Sequence, residues 1–223
     1  MKLSDFSSSA FFENPYPVYE RVREAGPLLY MGPTLAMTAS YALVEALLLD
    51  RRMVKQPVTT VRERYGETAT HEPVFEAFSM MFASMNPPAH TRLRTLLTKA
   101  FTARGLEPIE RLSQGVADRL IDTFIGEAGV DLVEQFAMPF PIEIICRLLD
   151  LPVGDGLTLG EASSAMLDAL DIAPLNTMGL ARANRATQQL QEYFRTVVQA
   201  RRSRIGNDLI SALIRAEAGG EVL

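Results

Sequence analysis

A mainly α-helical domain with a small β element near its amino terminus is the fold class this sequence predicts, and three observations predict it. From about residue 87 to residue 217 apolar residues recur at helical spacing, with breaks at glycines and prolines. Two short stretches, 28–31 and 35–38, have strand-like composition and are split by Gly32-Pro33. No repeat of fixed period, low-complexity tract or long linker divides the 223 residues, so one domain is expected.

The elements follow in order from local signals. Pro15 to Ala25 reads as a short helix stopped by Gly26-Pro27, and the two strand-like stretches form a hairpin after it. Ser40 is placed to cap a helix running to about Leu49. Residues 51–85 have weaker periodicity and contain Pro57, Gly66 and Pro73, which predicts a long loop with one short helix at most. Helices are then expected over about 87–101, 106–126, 133–150, 155–170, 178–204 and 207–217. Gly105, Gly126 with Gly129, Pro152 with Gly154, Pro174 and Gly206 mark the breaks.

Composition removes several function classes. Apolar residues make up 48% of the chain and charged residues 22%, as in ordinary soluble domains. A chain of this size buries roughly 70% of the surface its unfolded form exposes. The net charge of −5 argues against a general nucleic-acid binder, which carries a basic face. No apolar run approaches the roughly 20 residues of a membrane helix, and the opening MKLSDFSSSAFFENP has no signal-peptide core. Neither a nucleic-acid nor a membrane partner is expected, and the cytoplasm is the expected location. Cys146 is the only cysteine and there are two histidines, too few for a disulfide or a cysteine-pair zinc site.

The stretch NPPAHTRLR, residues 86–94, is the most informative. Asn86 suits an N-cap and proline suits the first helical position, so a helix is expected to start at Pro87. Leu93, Leu96, Leu97, Ala100 and Phe101 then form one apolar stripe. His90 and Arg94 lie one turn apart at its border. Arginine offers a rigid fork to a carboxylate and histidine adds a donor, which suits an anion with a hydrophobic body. The spacing alone equally allows a solvent-edge pair, or a histidine satisfied by a backbone carbonyl.

The wider wording decides between them. MNPPAHTRLRTLLTKAFTARGLEPIE (85–110) closely resembles the C-helix segment of bacterial cytochrome P450 enzymes. FFENPYPVYERVREAGPLLY (11–30) is similar to the family's opening helix and first strand, QFAMPFPIEIICRLLDLP (135–152) to its E helix, and NDLISALIRAEAGG (207–220) to its H helix. These segments fall in family order and cover essentially the whole chain. The resemblance implies a cytochrome P450-like helical domain, incomplete at the carboxy-terminus: residues 1–223 as helices A to H, ending before the long central I helix. It also implies heme b as cofactor, with the cysteine that ligates its iron expected beyond Leu223. No catalytic residue and no metal ligand are then expected in this chain, which alone should be inactive. Glu20-x-x-Arg23 and Glu192-x-x-Arg195 fit a family motif but precede its place, so they read as helix-surface charges. Cys146 lacks the flanking glycines of the ligand loop and reads as a buried structural cysteine.

Family roles carry onto matching positions. His90 and Arg94 are expected to contact the haem propionates. The loop 57–85 corresponds to one that lies over the haem and touches substrate, so Phe78, Met81 and Phe82 are expected at the substrate, although such side chains also pack loops onto domains. Met166, Leu170, Ile172 and Met178 surround the break at Pro174 as a second candidate wall, with Met178 expected at the substrate and helix packing the favoured role for Met166 and Leu170. Arg92 and Lys99 fall roughly 20° apart on the far side of the same helix from His90, taking about 100° per residue, and Arg104 extends that basic strip. It either faces solvent or meets an acidic ferredoxin or flavodoxin-like electron donor. The implied activity is a haem-thiolate monooxygenase that inserts one oxygen atom of O2 into a hydrophobic organic substrate. The alternative is a haem-free cytochrome P450-like helper or scaffold protein, which would not require His90 and Arg94 together.

Overall fold

The computed structural model describes residues 1–102, 107–171 and 174–218. Within them, helices α1 (Ser9–Glu13) and α2 (Tyr16–Glu24) precede an antiparallel pair of strands, β1 (Leu29–Tyr30) and β2 (Ala36–Met37). Helix α3 (Tyr41–Leu49) follows, with the Ser40 hydroxyl accepting from the Leu43 amide at 3.5 Å as a cap. The hairpin and α2 enclose a small core of Phe6, Val18 and Val22, over which Phe11, Leu29 and Met37 pack. Helix α3 is apolar apart from Glu45 and buries none of its residues; Tyr41 and Leu48 stand more than 80% exposed.

The region expected as a long loop is instead mostly helical. It holds α4 (Pro57–Tyr65) and α5 (Pro73–Met80), with 3-10 turns at Glu67–His71 and Phe82–Ser84. Both prolines open helices rather than break them. At the first helical position the missing N–H has no intrahelical partner to lose, and the ring presets φ. Gly66 ends α4 with φ +89°, a conformation that side-chain-bearing residues rarely adopt.

The remaining helices are α6 (Ala89–Thr102), α7 (Glu107–Asp122), α8 (Pro139–Leu148), α9 (Gly156–Leu167), α10 (Thr177–Ser203) and α11 (Leu209–Ala218). The helix expected over 133–150 is divided: a π-helical turn at Val133–Ala137 precedes α8. Pro139 and Pro141 supply no amide to a continuous ladder, which accounts for the division. The 27 residues of α10 make it about 40 Å long. It is capped by Asn176, whose side chain accepts from the Gly179 amide at 2.8 Å. This helix packs against α5, α9 and α11. Helix α9 comes close to α8 because it has no side chain at Gly156 and Gly160; a Cβ there would lie 2.6 Å and 2.9 Å from the nearest atoms of Ile142.

The main core lies where α4, α5 and α10 meet. Val61, Ala69, Val74, Phe75, Phe78, Ala169 and Ala183 are buried there, with Tyr65 and Met166 against them. Asn184 of α10 binds the first turn of α5 in both directions: it accepts from the Val74 amide at 3.1 Å and donates to Glu72 at 2.5 Å. Glu143 is buried between α7 and α8, where Arg119 and Arg147 both donate to it. Among the described residues no helix is long and apolar enough to cross a membrane.

Candidate functional site

The approach to α6 is held by a contact across the chain. Asn86 was expected to cap a helix starting at Pro87, but α6 starts at Ala89 and the Asn86 side chain faces elsewhere. It accepts from the Lys55 amide at 2.9 Å and donates to the Lys55 carbonyl at 2.8 Å, so it fastens the segment before α4 to the foot of α6. Its backbone carbonyl still accepts from the His90 amide at 3.0 Å. A primary amide can satisfy both the amide and the carbonyl of one residue, which an ionised aspartate, an acceptor only, cannot do.

His90 and Arg94 follow on successive turns of α6. Leu96 is buried and Leu93 and Leu97 are half-buried, so this part of the apolar stripe faces inward, while Phe101 at the end of α6 is exposed. His90 is half-buried and Arg94 exposed. The imidazole lies parallel to the Phe82 ring, with centroids 4.5 Å apart and planes 13° apart. Neither the His90 ring nitrogens nor the Arg94 guanidinium has a hydrogen-bond or ion-pair partner among the described residues. Two adjacent donors beside an apolar face are therefore available to an external acceptor, and a carboxylate is the group that such a pair accommodates. Arg92 and Lys99 are both exposed, while Thr95 turns its hydroxyl back to the Thr91 carbonyl at 3.0 Å. Arg104 and Ile172 lie outside the described residues.

The residues expected at a substrate wall differ in their surroundings. Phe78 is 3% exposed and belongs to the α4–α5–α10 core, so it packs rather than faces an open wall. The reason is the helix itself: α5 turns Val74, Phe75 and Phe78 to one side, which a loop would not do. Met81, just past the end of α5, is 36% exposed, and Met178 in the first turn of α10 is 80% exposed. Phe82 is half-buried and its ring contacts His90. That contact was missed in the sequence, because eight residues containing a 3-10 turn and two prolines carry no regular period.

The decoys are settled by their surroundings. Glu192 and Arg195 pair with each other on the exposed face of α10, and Glu20 and Arg23 lie exposed on α2. Cys146 is buried, and burial foremost, with the charges of Asp155 and Glu143, pushes its thiol pKa up. A raised pKa disfavours the thiolate, the form in which cysteine is a nucleophile. Next to it Tyr193 donates to Asp155 at 2.7 Å, and burial followed by that bond raises its phenol pKa to about 12.

No protein-family model matches the sequence. The whole chain is 45% identical to a protein of Xylella fastidiosa strain 9a5c provisionally named cytochrome P450 133B1, of which it covers 56%. It is 28% identical, over 96% of its length, to 6-deoxyerythronolide B hydroxylase of Saccharopolyspora erythraea, covering 53% of that enzyme. Among solved structures, P450BioI in complex with an acyl carrier protein ligated to hexadec-9Z-enoic acid matches 93% of the chain with a TM-score of 0.80 at 27% identity, over 53% of its own length. A myxobacterial cytochrome P450 in complex with myristic acid matches 97% of the chain with a TM-score of 0.79 at 28% identity, over 54% of its own length. The chain thus spans about half the length of the relatives it matches.

Proposed function

Since the chain belongs to the bacterial cytochrome P450 family, we propose that it forms the amino-terminal part, helices A to H, of a cytoplasmic haem-thiolate monooxygenase acting on a hydrophobic small molecule. One observation carries the reading: His90 and Arg94 stand one turn apart beside an apolar face, with no partner for their donor groups among the described residues. Those groups fit haem propionates, which are carboxylates on a hydrophobic body, so His90 and Arg94 would hold the cofactor by its acidic edge. When bound, haem supplies dioxygen activation, and the rest of the protein supplies ligation, orientation and a dry pocket. Met81 and Met178, exposed and flexible, would form part of the substrate approach. Two solved relatives hold a long-chain acyl group or fatty acid, which agrees with an apolar substrate.

The test compares two neighbours on α6. In the full-length parent, Arg94→Ala removes a charge-assisted contact, while Thr95→Ala trims an exposed hydroxyl bonded only to its own helix. Arg94→Ala is expected to lower the haem-to-protein absorbance ratio after purification, and Thr95→Ala to leave it unchanged. Equal retention in both would favour a haem-free relative.

The opposite side of α6 would receive the electron donor. Arg92 and Lys99 are exposed cations on a chain whose net charge is −5, and complementary charge mainly speeds encounter with an acidic ferredoxin or flavodoxin. Arg92→Glu combined with Lys99→Glu is expected to slow reduction by an acidic ferredoxin at low salt, with the deficit shrinking as salt rises. A reduction rate and salt dependence matching the parent's would leave the strip as a solvated face.

A further inference from the structure

We propose that Phe82 is a positioning residue that sets the plane of the His90 imidazole; this rests on the reading of His90 as a donor to a haem carboxylate. The two rings lie parallel, 4.5 Å between centroids and 13° between planes. Parallel stacking occupies a face of the imidazole and leaves its edge clear. Both ring nitrogens lie on that edge and hydrogen-bond in the ring plane. The ring nitrogens of His90 have no hydrogen bond to any described residue, so no polar contact fixes the ring. Its aromatic partner is Phe82.

Phe82 can act this way because it is itself held. It opens the 3-10 turn Phe82–Ser84, where its carbonyl accepts from the Met85 amide at 3.2 Å and the Met81 carbonyl accepts from the Ser84 amide at 2.8 Å. Four residues before it, Phe78 is anchored in the core; four residues after it, Asn86 is bound to Lys55 through both its side-chain groups. Residues 78–90 thus make a bracket fixed at two points, with Phe82 between them and His90 against its ring. The sequence would equally suit Phe82 to a substrate wall, but one face of its ring lies against His90. A residue that pre-orients a donor reduces the freedom lost on ligand binding, so it strengthens retention without touching the ligand.

The experiment measures haem loss to excess apomyoglobin and substrate affinity by spectral titration, both in the full-length protein. Phe82→Leu and Phe82→Ala are expected to speed haem loss roughly two- to tenfold, the scale of an aromatic pair. Phe82→Tyr, which keeps the ring, should restore the parent's rate. In a His90→Ala background, Phe82→Leu should add nothing, since the two act through one contact. Equal acceleration in both backgrounds would make Phe82 a general packing residue and overturn the proposal. Unchanged haem loss with weakened substrate binding would overturn it in favour of a substrate wall. If His90→Ala and Arg94→Ala both leave haem loss unchanged, the carboxylate reading itself fails, and the positioning role fails with it.

Discussion

Phe78→Ala is expected to lower the unfolding free energy of the full-length protein by about 3–5 kcal/mol, the usual cost of deleting a buried aromatic side chain. Phe78 is 3% exposed, and its neighbours limit how far the site can close. Ala69, Ala169 and Ala183 are among the core residues around it, and they sit on different elements. Their short side chains are fixed to backbone and cannot swing in to fill the space, so a cavity persists. Phe78→Leu, which keeps most of the volume, should cost roughly 1 kcal/mol. Met81→Ala, at a position 36% exposed, should change stability little while altering the affinity for substrate or an azole. The denaturant midpoint at unchanged slope is the measurement. A parent-like midpoint for Phe78→Ala would mean that Phe78 does not hold this core together.

Asp208→Asn is expected to cost about 2–3 kcal/mol near neutral pH, the scale of hydrogen bonds to a charged group. The Asp208 carboxylate is buried at the start of α11, where it accepts from the Ser211 amide at 2.9 Å and from the Ser211 hydroxyl at 2.6 Å. Arg201 of α10 places Nε 3.0 Å from the same carboxylate. The Ser211 hydroxyl in turn accepts from the Gly206 amide at 2.9 Å. An asparagine keeps one acceptor for the cap but turns an N–H2 group toward Arg201 and the serine, where only an acceptor fits. Burial pushes the Asp208 carboxyl up, but the hydrogen bonds from Ser211 and the charge of Arg201 outweigh it and hold the pKa below the usual aspartate value. A depressed carboxyl contributes stability that is complete above the unfolded value, about 3.9, and is lost as pH falls through the lower folded value. The gap between parent and variant should therefore be constant from neutral pH to about pH 5 and narrow only below about 4. A gap that closes already at pH 6 would exclude Asp208 as its source.

Local signals carried the helices that stand on their own chemistry. Pro15 before α2, Ser40 before α3, the hairpin split by Gly32-Pro33 and the long amphipathic run of α10 all form as short-range preference dictates. The neighbouring pair His90 and Arg94 was legible for the same reason, since an i, i+4 relation on one helix needs no knowledge of the rest of the chain. The buried state of Cys146 was legible too, from its apolar neighbours. The stretch 51–85 is ambiguous in sequence because proline signals both a helix start and a break, and weak periodicity does not separate the two; packing against α10, sealed by Asn184, selects the helical form.

The helical class, the position of most helices, the family resemblance and the spacing of the two donors on α6 all follow from local sequence. That Phe78 faces the core, that Asn86 binds Lys55 instead of capping α6, and that Phe82 lies against His90 are set by tertiary packing. The physical reason is range. Helix caps and one-turn pairs are fixed by residues within four positions, whereas Asn86 meets a partner 31 residues away and Phe78 shares its core with Ala183 of α10, more than a hundred residues later. A side chain with several satisfactory local partners takes the one the fold brings to it, and the local sequence holds no record of that choice.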